Sequence, residues 1–131
     1  MKNIIKIFLL SICFAGTAFE SISQKAYMSE QYFGTVGDKK IVMELVEGDT
    51  WFGDYYYEKY LKKITLRSDK LIDEEKSKVT INEYVNEKKT GSFVFTDLDL
   101  TKKTLTGTWY NKDGSRSLPV LLNRVSTAVN R

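Results

Sequence analysis

With no histidine in the chain and its single cysteine at position 13, any chemistry must come from carboxylates, hydroxyls and amines. Asp54 is the most suggestive acid. It lies in Thr50-Trp51-Phe52-Gly53-Asp54-Tyr55-Tyr56-Tyr57-Glu58-Lys59-Tyr60, which holds six aromatic side chains in eleven residues. A carboxyl among aromatic rings has its charged form disfavoured and can serve as a general acid. No second group at a catalytic spacing accompanies it. Asp97 and Asp99 alternate with Leu98 and Leu100. In extended chain they share a face, which suits a hard cation, glycoside acid–base chemistry, or simply the wet side of a strand. Asp73-Glu74-Glu75 reads as a solvated loop. Asp113-Gly114 reads as a turn, because the ligand series of a calcium loop is missing.

The remaining routes close by elimination. Without histidine there is no Ser-His-Asp or Cys-His arrangement. Zinc would lack its usual ligands. Neither G-x-x-x-x-G-K-[ST] nor G-x-G-x-x-G occurs, so nothing cradles a nucleotide phosphate. The expectation is a non-enzymatic protein with no catalytic, metal or cofactor-binding residues.

The elements that position these groups begin after a leader. Lys2 and Lys6 precede an uncharged apolar run from Ile7 to Phe19, and Ser21 and Ser23 are small residues suited to a cut before Gln24. Residues 1–23 therefore read as an export signal, too short in its apolar run for a membrane anchor. Cys13 reads as part of that run rather than as a lipid attachment point, because Ile12 before it is not small. Export places the mature protein in the periplasm or outside the cell. Losing two lysines and one glutamate with the leader takes the formal charge from +3 to +2. A balance so near neutral, with lysine pairs scattered at 39–40, 62–63, 88–89 and 102–103, argues against nucleic acid as a partner.

Residues 24–131 read as a single β domain. Turn-forming clusters recur every 8–12 residues or so, as in an antiparallel meander. The expected strands are Gln31–Val36, Lys40–Val46, Trp51–Tyr57, Lys62–Arg67, a short Lys70–Ile72 after a turn at Ser68-Asp69, Lys78–Val85, Gly91–Thr96, Thr104–Tyr110 and Ser117–Arg124. Eight or nine strands joined by short turns protect their edges best by closing into a small barrel, with a β-sandwich as the alternative.

Glycine followed at the second position by an aromatic recurs inside the meander, at Gly53-Asp54-Tyr55-Tyr56-Tyr57, Gly91-Ser92-Phe93-Val94-Phe95 and Gly107-Thr108-Trp109-Tyr110. Such a glycine lets a sheet curve, and the aromatic covers the gap it leaves. With Thr90-Gly91-Ser92-Phe93, Leu105-Thr106-Gly107-Thr108-Trp109 and Leu118-Pro119-Val120-Leu121-Leu122, the order of motifs resembles a group of small exported, largely uncharacterised bacterial β-barrel-like proteins. That resemblance implies a fold and no activity. Leu105-Thr106-Gly107-Thr108-Trp109-Tyr110-Asn111 is also similar to the opening strand of the avidin family. Here it lies near the end of the chain, with no positions left for the rest of a biotin site, so it reads as convergence on barrel-strand chemistry.

The function expected is that of an exported, non-catalytic binding protein of the cell envelope. Its most specific form is an inhibitor or immunity-type protein that blocks a wall-attacking enzyme; the alternative is a carrier with a small ligand in the barrel. Alternation puts Trp51, Tyr55 and Tyr57 on the core face. Phe52, Asp54, Tyr56 and, if the strand runs that far, Tyr60 fall on the outer face as the candidate binding surface, with the Gly37-Asp38 or Asn111–Ser115 turns beside it.

Overall fold

The computed structural model describes residues 27–74 and 77–125; the leader read at 1–23 lies outside them. The described residues form a closed eight-stranded antiparallel barrel in simple meander order. Its strands are β1 (Met28–Val36), β2 (Lys39–Glu47), β3 (Thr50–Tyr57), β4 (Ile64–Leu71), β5 (Lys78–Val85), β6 (Lys88–Thr96), β7 (Thr104–Asn111) and β8 (Ser117–Arg124), with one 3-10 turn at Ile72–Glu74. β1 closes the barrel against β8, from Tyr32↔Arg124 to Val36↔Val120. Among the described residues no helix is long and apolar enough to cross a membrane.

Alternation decides what goes inside. Ile41, Met43 and Leu45 of β2 point inward, as do Trp51 and Tyr55 of β3, Val79 and Ile81 of β5, and Phe93 and Phe95 of β6. The rings fill the interior in sequence. Tyr57 meets Tyr55 edge-on at 5.6 Å, Tyr55 meets Phe93 at 5.1 Å, and Phe93 stacks on Phe95 at 6.2 Å. Eight strands enclose an interior that side chains of this size fill.

Glycine is required where neighbouring strands approach closely. A Cβ on Gly53 (φ +154°) would lie 2.0 Å from the Glu44 carbonyl oxygen of the neighbouring strand. Only glycine permits that approach.

The two ends of the barrel differ. At one, the 97–103 loop tucks Leu100 into the core, and Arg124 Nη1 donates to the carbonyls of Leu100 (3.2 Å) and Thr101 (3.1 Å). At the other lie the Gly37-Asp38 turn, the loop 58–63, the Asn86-Glu87 turn and the Asn111–Ser115 turn.

Three details of the sequence expectation are corrected. Ser68-Asp69 does not turn the chain: β4 runs through it to Leu71, and the residues bulge away from β3 between the pairs Thr50↔Leu71 and Phe52↔Arg67. A bulge absorbs turn-prone residues without ending a strand. β3 stops at Tyr57, so Tyr60 lies in the following turn and not on the strand's outer face. Asp97 and Asp99 do not share a strand face either. β6 ends at Thr96, Asp97 takes a positive φ of 54°, and Asp99 Oδ1 accepts from the Thr101 amide (2.9 Å) and hydroxyl (2.7 Å).

Candidate functional site

The candidate site is the barrel end formed by the loop 58–63, with a buried carboxyl beneath it. At the rim, the Glu58 amide donates to the Lys40 carbonyl (3.0 Å), tying the loop to β2. The Tyr57 carbonyl accepts from both Tyr60 N (3.0 Å) and Leu61 N (2.9 Å). Leu61 is held at φ 56°. For a bulky residue this left-handed conformation costs about 1–2 kcal/mol. Its side chain gains no burial in return: Leu61 is 71% exposed and Tyr60 67%. Two large apolar side chains are thus presented to solvent on a loop with fixed backbone.

A cleft of about 540 Å³ adjoins Tyr60, between this loop and the Gly37-Asp38 turn. Lys39, Lys40 and Lys59 line it together with Asp38, Glu58 and the rings of Tyr57 and Tyr60. The Lys59 ammonium sits 5.6 Å from the Tyr60 ring centroid, within cation–π range.

Below the rim lies Glu83, only 5% exposed and inside the barrel. Its Oε1 accepts from the Tyr55 hydroxyl at 2.5 Å and from Trp109 Nε1 at 3.1 Å, and its Oε2 accepts from the Thr90 hydroxyl at 2.7 Å. Each donor comes from one of the recurrent motifs: Tyr55 follows Gly53, Thr90 precedes Gly91, and Trp109 follows Gly107. Gly91 pairs directly with Glu83 across β5 and β6. A Cβ there would meet the Tyr110 carbonyl at 2.6 Å, Trp109 Nε1 at 3.0 Å and Glu83 Oε2 at 3.1 Å. The absent side chain is what lets the indole reach the carboxyl.

Burial pushes the Tyr55 hydroxyl far above the usual tyrosine range, and the Glu83 charge and hydrogen bond push it further. Tyr57 is raised as well, chiefly by burial. Both phenols therefore stay neutral and available as donors. Both carboxyl oxygens of Glu83 are engaged, so the cluster fixes the side chains of Tyr55, Thr90 and Trp109. Tyr57, which lines the rim cleft, packs on Tyr55 and so connects the rim to the buried carboxyl.

The four sequence-predicted surface residues do not gather in one place. Phe52 points outward but lies under the edge of Tyr27, centroids 6.0 Å apart. Asp54 is outward and 3.7 Å from Lys63 Nζ, an exposed pair worth at most about 1 kcal/mol. Tyr56 is half-buried on the outer wall, in a lateral row with Val42 and Phe33. Tyr60 alone stands on the rim, next to Asp38.

Sequence reasoning missed Glu83. Its signal was present, since Glu83 occupies the inward register of Val79 and Ile81, an acid on the apolar face of a strand. Among the described residues no group of three His, Cys, Asp or Glu is placed to hold a metal ion. No protein family, curated protein or solved structure matches this chain.

Proposed function

We propose that this protein is a non-catalytic, exported binding protein of the cell envelope that grips a protein partner with its 58–61 rim loop. An inhibitor or immunity-type protein that blocks a wall-attacking enzyme is the most specific form of this reading. The observation that carries it is the exposure of Tyr60 and Leu61 on a backbone fixed by two hydrogen bonds and a positive φ. Backbone strain with no packing benefit is a mark of functional segments. Rigid, exposed aromatic and aliphatic anchors bind with little loss of conformational entropy. The filled interior favours the surface over the barrel cavity as the binding element. Export rests on the leader-like residues 1–23.

The test is affinity capture from envelope extracts of the source cells, using the wild type and a Tyr60→Ala/Leu61→Gly double variant as baits. The reading expects one protein retained by the wild type and lost by the variant. Identical recovery by both baits counts against it.

A further inference from the structure

The barrel wall has a gap at one seam. β4 and β5 pair only over Thr65–Arg67 and Asn82–Tyr84, although β4 continues to Leu71 and β5 begins at Lys78. Among the described residues, β5 from Lys78 to Ile81 is paired with β6 on one side and with no strand on the other. The bulge at 68–70 lies along this unpaired stretch, and its residues line the opening. A cleft of about 480 Å³ fills the gap.

The charges around this cleft are unevenly committed. Asp69 accepts from the Asn82 amide at 3.1 Å, and Glu74 accepts from the Leu71 backbone amide at 3.3 Å. Lys70, Lys78 and Lys89 also line the cleft and make no ion pair among the described residues. Lysine along an open edge normally wards off a second β-strand. The same charges attract a strand that carries acids.

We propose that the edge of β5 from Lys78 to Ile81 is a strand-addition site for an extended acidic segment of a partner protein, separate from the rim loop. The incoming strand pairs its backbone with β5, the mode by which exposed sheet edges recognise peptides. Its alternate side chains point outward toward Lys70, Lys78 and Lys89, and these positions are acidic. The intervening side chains lie against the wall beside Val79 and Ile81, which are themselves buried in the core, and are apolar. The partner motif therefore alternates acid and aliphatic residue over about five positions.

The full domain is titrated with the capped peptide Glu-Val-Glu-Val-Glu while backbone amide resonances are followed by NMR. Saturable shifts confined to 68–70 and 78–82 are expected. Affinity should fall about tenfold in the Lys78→Glu/Lys89→Glu variant, whose changes are both on exposed side chains. It should fall at least as far for Glu-Val-Pro-Val-Glu, which cannot complete the backbone ladder. Three results would overturn the proposal: no saturable shift, shifts scattered over lysines elsewhere, or equal binding of the proline peptide. Concentration-dependent shifts at 78–81 without peptide would assign the edge to a second copy of this chain and would equally overturn it.

Discussion

The Tyr55 hydroxyl donates a 2.5 Å hydrogen bond to Oε1 of Glu83, joining side chains 28 residues apart inside the barrel. Trp109 and Thr90 supply the other two donors. The recurrent glycine–aromatic pattern is thus more than a way of curving the wall: three of its strands converge on one carboxyl. Among the described residues Glu83 forms no ion pair, and burying such an acid is expensive unless its hydrogen bonds are satisfied, as they are here.

Replacing that carboxyl orders stability by how many donors stay satisfied. Glu83→Gln keeps an oxygen for Tyr55 and Trp109 and offers Thr90 an amide to accept from, so a cost of about 1–2 kcal/mol is expected. Glu83→Leu orphans all three donors and should cost roughly 2–5 kcal/mol in urea unfolding. Adding Tyr55→Phe should cost less in the Glu83→Leu background than in the wild type. Strict additivity of the two changes would mean that the pair is not coupled.

Gly91→Ala forces a methyl group against the Tyr110 carbonyl and the Trp109 indole nitrogen. Destabilisation of about 1–3 kcal/mol is expected, as for other overpacked sites. Trp109 emission should shift as its hydrogen bond to Glu83 lengthens. An unchanged spectrum with wild-type stability would show that the indole does not need this glycine.

Alkaline pH should unfold the protein through its buried phenols. Burial pushes Tyr32 from 10.0 up to about 12, with the charge of Glu30 adding to the effect; Tyr55 and Tyr57 are raised too. Their folded-state values lie above the unfolded ones, so the stability they contribute is intact below pH 10 and is lost as pH rises through the folded values. Ionisation of these three, followed by absorbance at 295 nm, should coincide with unfolding followed by circular dichroism. Complete tyrosine ionisation in a still-folded barrel would contradict their burial.

Leu61→Gly relieves a left-handed leucine worth about 1–2 kcal/mol and introduces a glycine entropy cost of about 0.5–1 kcal/mol. Stability should hold or rise slightly. A loss of more than about 1 kcal/mol would show that Leu61 packs in the fold and is not displayed for recognition.

The barrel itself was legible in the sequence, because inward residues such as Ile41, Met43 and Leu45 keep a strict period of two between clear turn signals. Trp51, Tyr55 and Tyr57 fall on the core face for the same reason. What escaped notice depends on contacts between strands distant in sequence. Ser68 and Asp69 have turn chemistry locally, and only pairing with β3 turns them into a bulge. Asp97 and Asp99 alternate on paper, but the loop that seals Leu100 into the core ends the strand first. Glu83 could be placed inside by alternation, yet its three donors lie on other strands and no spacing in one sequence assembles them. Tyr60 reads in the sequence as an outer-face aromatic of the 51–60 segment, but the strand ends at Tyr57 and Tyr60 lies in the turn that follows. Its rigid display depends on hydrogen bonds to the Tyr57 carbonyl that sequence does not reveal.

The most direct measurement is site-specific photo-crosslinking in the source cells, with a benzophenone side chain at position 60 on the rim or at position 103 on the opposite end. A single discrete protein adduct from position 60 and none from position 103 is the result predicted for a rim that recognises a protein partner. No adduct from position 60, or the same adducts from both positions, would contradict it.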